Sequence, residues 1–205
     1  MRLAILTLGL AVILFGEHGM AQRDRTPQSA ASIQATPLIL EKSEGEHRVR
    51  RPKETLTPRP GETRIPAFTI KVDRKNGGSQ KMWLGTEDIA PGGLIPRHMH
   101  HGQDEILLIQ SGTAHVWLGT QERDVHAGSV VFIPSDSWAT LKNTGTEDIS
   151  LTFVFSDPGF DDYLRCTSVP AGSPSSSAVL SREELKACQH EGHVTFEGFD
   201  STVSH

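Results

Sequence analysis

The stretch Gly92-Gly93-Leu94-Ile95-Pro96-Arg97-His98-Met99-His100-His101-Gly102-Gln103-Asp104-Glu105 decides how the rest of the chain is read. His98 and His100 are two residues apart, so on an extended strand both imidazoles leave the same face. Glu105 lies at an odd offset from His100 and would point the other way on an unbroken strand. Gly102 supplies a bend between them, and a turn across His101 to Asp104 would bring the carboxylate back to the imidazole side. Two imidazoles and one carboxylate converging in this way are a ligand set for a divalent transition metal: Fe, Mn, Zn, Ni or Co. Three protein ligands would leave positions open for water or substrate. On an unbroken, exposed strand the same residues would be ordinary surface groups, so the metal reading requires the chain to break between His101 and Asp104.

The spacing continues beyond this stretch. Gly92, His98, His100, Glu105 and Gly112 fit G-x5-H-x-H-x4-E-x6-G, and after residues 113–127 a second run, Gly128-Ser129-Val130-Val131-Phe132-Ile133-Pro134, leads on to Asn143. Together these resemble the two motifs of the cupin superfamily, G-x5-H-x-H-x4-E-x6-G and G-x5-P-x-G-x2-H-x3-N, over roughly residues 65–156. The resemblance implies an all-β, cupin-type jelly-roll barrel with His98, His100 and Glu105 as metal ligands near its centre. The second motif departs from the pattern twice. Asp136 stands where glycine is usual, which a β-turn tolerates. Ala139 stands where the fourth ligand, a histidine, is usual, and alanine cannot coordinate a metal. The site therefore either keeps an extra open position or has lost affinity. His101, His115 and His126 are read as non-ligands. Gln103 and Asp104 either orient the ligands or only make the turn. Arg97 is a candidate to meet an anionic substrate, and Trp138, just before the vacated ligand position, is the best pocket candidate among the three tryptophans.

Working outward, the flanking sequence supports many short strands. Ala67–Val72, Lys81–Leu84, Glu105–Gln110, Thr113–Leu118, Val130–Ile133, Ala139–Asn143 and Ile149–Phe155 read as strands separated by Gly, Pro, Asp and Asn, with Ser111-Gly112 as a hairpin signal. Leu151, Phe153 and Phe155 alternate, which predicts one strongly buried face. Residues 65–157 are thus assigned to the barrel. Residues 158–205 form a C-terminal extension with a short helix, opened by the capping box Ser181-Arg182-Glu183-Glu184 and stopped at Gly192. Phe160–Cys166 reads as a short helical turn.

Residues 22–64 read as an extended N-terminal arm, since Pro27, Pro37, Pro52, Pro58 and Pro60 forbid a long helix. Within it Leu38-Ile39-Leu40 is an apolar patch that either pairs as an edge strand or packs on the barrel. The charged run Glu44–Arg51 is either a substrate-facing arm or, the favoured reading, a solvated extension. Residues 1–21 read as a signal peptide: Arg2, an apolar run from Leu3 to Gly16, then Gly19-Met20-Ala21 as a cleavage site. That run is short of the ~20 residues that cross a bilayer. The expectation is a secreted or periplasmic protein with no membrane span after cleavage, and in an oxidising compartment Cys166 and Cys188 would be bridged.

Of 205 residues, 36% are hydrophobic and 22% charged, and the net charge is −5, so no basic nucleic-acid footprint is present. The expected partner is a small organic ligand or substrate. Two functions follow from the resemblance: a metal-dependent, dioxygenase-like or isomerase enzyme, or a non-catalytic binding or storage module with a degenerate metal site, which Ala139 favours. The resemblance also leads us to expect a homodimer.

Overall fold

The computed structural model describes residues 35–53, 66–174 and 178–197; the signal-peptide reading and parts of both extensions lie outside them. Twelve strands and two helices follow in the order β1 (Glu46–Arg50), β2 (Ala67–Val72), β3 (Trp83–Ile89), β4 (Leu94–His100), β5 (Glu105–Ser111), β6 (Thr113–Leu118), β7 (Gln121–His126), β8 (Val130–Ile133), β9 (Ala139–Asn143), β10 (Ile149–Phe155), α1 (Phe160–Cys166), β11 (Ser168–Pro170), α2 (Arg182–Glu191) and β12 (Val194–Phe196). They form two sheets, β11-β1-β2-β3-β10-β5-β8 and β12-β4-β9-β6-β7. The architecture is all-β and cupin-type, as the motif spacing predicts.

The core lies between the sheets. Leu151, Phe153 and Phe155 on β10 are buried, as their alternation requires, and Trp83 is fully enclosed. The indole stacks on Phe155 with ring centroids 4.6 Å apart. Burying side chains of this size contributes about 1.5–3 kcal/mol each. Gly112 turns β5 into β6 with φ +85°, and a Cβ there would sit 2.8 Å from the Asp148 carbonyl oxygen. Only glycine fits both conditions.

Several elements differ from the sequence reading. The strand expected at Lys81–Leu84 begins at Trp83 and runs on to Ile89. Strand β7 was not expected, because all its residues but Val125 are exposed; it closes the edge of the second sheet as a polar hairpin partner of β6. Leu38-Ile39-Leu40 forms no strand and stays exposed. The charged run Glu44–Arg51 is not a solvated extension: it contains β1, which pairs with β2 on one side and β11 on the other. Its charges are met partly within the strand and partly by partners distant in sequence. Arg48 is buried and donates to Ser168 Oγ (2.6 Å), Glu46 Oε1 (2.6 Å) and the carbonyls of Ser168 (2.8 Å) and Arg165 (3.0 Å). Arg165 in turn donates to Glu46 (2.6 Å), to Asp161 (3.1 Å) and to the buried Asp73.

Both helices form where expected. Ser181 caps α2 by accepting from the Glu184 backbone N–H (3.1 Å), and the Glu184 carboxylate returns the bond to the Ser181 N–H (2.8 Å). Cys166 at the end of α1 is bridged to Cys188 in α2, which closes the C-terminal segment on itself.

Removing the Arg48 guanidinium strands several buried acceptors. Arg48→Met is expected to lower unfolding free energy by about 2–4 kcal/mol in urea titration. An exposed arm would lose nothing measurable.

Candidate metal centre

His98 and His100 lie on β4, in the second sheet, and Glu105 opens β5, in the first. The turn between them is what changes the face. Gly102 takes φ +71°, a left-handed conformation that glycine adopts without strain. The loop carrying the second motif clamps this turn. Ser135 Oγ accepts from the Gly102 N–H (2.8 Å), Asp104 Oδ1 accepts from the Ser135 N–H (2.9 Å), and the His100 carbonyl accepts from the Asp136 N–H (2.8 Å). Ser156, just past β10, holds the far end, its N–H donating to the Asp104 carbonyl (3.0 Å) while its Oγ accepts from the Asp104 N–H (3.0 Å). Asp136, the departure from glycine, adopts φ +60° and hydrogen-bonds His101 Nδ1 through its carboxylate (2.6 Å).

The parity mismatch is resolved as the sequence requires. Ligand-capable atoms of His98, His100 and Glu105 all lie within 4.8 Å of one another, and all three residues are buried. Their hydrogen bonding is incomplete in a way that fits an ion. His98 Nδ1 donates to the Pro96 carbonyl (2.7 Å); a carbonyl only accepts, so in the neutral ring Nε2 keeps its lone pair. Among the described residues neither nitrogen of His100 has a hydrogen-bond partner, nor has Glu105 Oε2, although all are buried. His100 Nε2 and Glu105 Oε2 stand 3.5 Å apart, too long for a strong hydrogen bond. Buried polar atoms without partners are costly, and a shared cation would satisfy all three residues at once.

Electrostatics point the same way. Burial lowers the His98 pKa from 6.5 to about 4, with His100 adding to the shift. Burial likewise lowers His100 to about 3. Both rings are therefore neutral at pH 7, the form that ligates metals. Desolvation raises Glu105 from 4.5 to about 7, outweighing the attraction of His98.

A cavity of about 40 Å³ adjoins the cluster, room for about three waters. His98, Glu105 and Ala139 line it with Leu107, Val116 and Phe153. Ala139 pairs with His98 across β4 and β9, so the missing fourth ligand leaves space rather than another side chain. His101, His115 and His126 stay out of the cluster. His115 bonds Asp124 (2.7 Å), and Thr113 Oγ1 lies 3.2 Å from His126 Nδ1. Gln103 does not reach the ligands: its Oε1 accepts from the Phe160 N–H (3.2 Å), and Asp104 braces the turn. Arg97 pairs with Glu197 (3.1 Å) and lies over Trp138, away from the cavity lining.

The sequence reading missed the cap. Phe160 of α1 packs against His100 with centroids 4.3 Å apart, and Phe196 of β12 stacks on His98 at 5.6 Å. It also missed Arg50 and Glu87, which line the cavity. Neither signal was available, because both come from segments whose pairing is long-range.

Comparison with known proteins agrees with the barrel. Residues 85–155 match the family model described as a cupin domain. Over 79 residues the chain is 34% identical to mannose-1-phosphate guanylyltransferase 2 of Escherichia coli O157:H7, covering 38% of this chain and only 16% of that protein. Among solved structures it is similar to a predicted oxalate decarboxylase of Thermotoga maritima (18% identity, TM-score 0.48, 59% of this chain and 100% of that one). It is also similar to KdgF of a Halomonas species (16% identity, TM-score 0.42, 50% and 84%). The two motifs and the family match together assign residues 85–155 to a cupin domain.

Because both rings are already neutral, Glu105 is the group that must lose a proton on metal uptake near neutrality. Co(II) affinity should therefore fall by up to about tenfold per pH unit between pH 7 and roughly 4, the slope of a single proton. Two protons displaced near pH 5.5 would contradict this assignment; binding titrations in that range measure it.

Proposed function

We propose that this chain is an exported cupin that binds one divalent transition metal ion through His98, His100 and Glu105 and acts on a small organic molecule. The observation that carries the reading is the convergence of three buried residues, two of which, His100 and Glu105, have buried ligand atoms without hydrogen-bond partners among the described residues. Bound there, such an ion would supply Lewis acidity or, if redox-active, dioxygen chemistry of a dioxygenase-like kind. The protein's own part is to hold His98 in one tautomer through Pro96, to keep both rings neutral by burial, and to shield the site with Phe160 and Phe196. The space beside Ala139 is where substrate or water would sit. The disulfide supports export, since such bridges persist in oxidising compartments. No helix among the described residues is long and apolar enough to cross a membrane. The outward row Ile106, Leu108, Val130 and Phe132 at the β8 edge supports a homodimer.

A second reading is a non-catalytic carrier, favoured by Ala139. Both readings require the metal or the cavity, and they part on turnover of oxygen or substrate by the loaded protein.

Elemental analysis of the purified protein after addition of Fe(II), Mn(II) or Zn(II) tests the metal site. About one equivalent is expected in the wild type, falling at least about tenfold in affinity for His100→Ala and Glu105→Gln. Absence of stoichiometric metal in the wild type, or its retention in both variants, would remove the metal centre.

A further inference from the structure

The cavity beside the metal ligands has one further charged feature. Arg50, on β1, and Glu87, on β3, both line it, in a wall that is otherwise mostly apolar. Arg50 reaches Glu87 through Nη2 alone, at 3.2 and 3.3 Å to the two carboxylate oxygens. These distances exceed those of a well-formed charge-assisted bond, about 2.7–2.9 Å. Among the described residues the guanidinium has no other hydrogen-bond partner, so Nε and Nη1 keep unspent donors, while the ring of Phe68 supports the group at 5.1 Å. Its side chain is 21% exposed and that of Glu87 9%.

An arginine held this way is unlike the other arginines of its strand neighbourhood. Arg48 is saturated by four acceptors, and Arg165 by three carboxylates. Arg50 is restrained by one carboxylate and one aromatic face but not satisfied. A planar guanidinium with free donors in an apolar wall matches a carboxylate, which accepts two parallel N–H bonds. A neutral polar molecule would leave Nε and Nη1 without the charge-assisted partner that a carboxylate supplies. The cavity is small, which favours an acid of few carbons.

We propose that Arg50 is the specificity-determining residue of this cavity and anchors the carboxylate of a small organic acid, with Glu87 holding the guanidinium in place and competing for it. The ligand's other end then faces His98 and Glu105. This inference deepens the function proposed above and rests on it for which cavity the substrate enters. Arg50 lies on β1, outside the segment that matches the cupin family model, residues 85–155.

Calorimetric titration of the metal-free and the Zn(II)-loaded protein with lactate, and with lactamide as a neutral analogue of the same shape, tests it. Lactate should bind the wild type at least about tenfold more tightly than lactamide does. Arg50→Met should weaken lactate by at least about tenfold, with Zn(II) stoichiometry unchanged. Glu87→Gln should tighten lactate several-fold, because the internal competitor loses its charge. Opposite signs in the two variants exclude simple misfolding. Equal lactate affinity in Arg50→Met, equal binding of lactamide, no lactate binding by the wild type, or weakening in Glu87→Gln would each overturn the proposal. Loss of Zn(II) binding by the wild type would instead strike the metal reading, and the metal-free titration would still decide the role of Arg50.

Discussion

The structure depends on a change of strand face between His100 and Glu105. Strand geometry places residues at an odd offset on opposite faces, so a continuous strand could never aim all three side chains at one point. Ending β4 at His100 and starting β5 in the opposite sheet at Glu105 solves this, provided the four residues between hold one conformation. A free turn would not hold it. Gly102 admits the bend, and hydrogen bonds from Ser135, Asp136 and Ser156 fix it. The second motif, which contributes no metal ligand in this chain, thus has a mechanical role: its loop is the clamp on the turn of the first.

That role accounts for one departure in the second motif and clarifies the other. Asp136 replaces glycine in a left-handed position, where aspartate is among the residues that tolerate it, and its carboxylate is bonded to His101. The clamp survives the substitution because it uses the Asp136 backbone N–H. Ala139 removes a ligand but not the scaffold that would have carried it: β9 still pairs with β4 at His98 and with β6 at Leu118. The cluster of His98, His100 and Glu105 is assembled, with alanine beside it at position 139.

How much of this was readable in advance follows from the range of the interactions. The ligand triad, the β-rich pattern, the inward face of β10 and the capped C-terminal helix are encoded by spacings of a few residues, and periodicity shows them. Strand β1 was misread because its sequence is nearly all charge. What makes it a strand is Arg48 meeting Ser168 and Arg165, over a hundred residues away, and no local pattern reports that. The aromatic cap was hidden for the same reason: Phe196 reaches His98 only because β12 pairs with β4. Arg50 faces the cavity by virtue of that same misread strand, and Glu87 from the part of β3 beyond the expected end at Leu84.

The segments outside the matched cupin region therefore do more than lengthen the barrel. β1 and β11 extend the first sheet, β12 adds an edge to the second, and the bridge between Cys166 and Cys188 ties α1 to α2, so that Phe160 and Phe196 are held against the two imidazoles. Burial lowers the pKa of His98 and His100 and raises that of Glu105, and the cap adds to the burial of the two rings. The same burial that leaves His100 and Glu105 unsatisfied makes a divalent ion a fitting partner, since one cation would meet them together with His98 in a medium of low dielectric. The N- and C-terminal additions shape the environment of the ligands, while the barrel supplies only their positions.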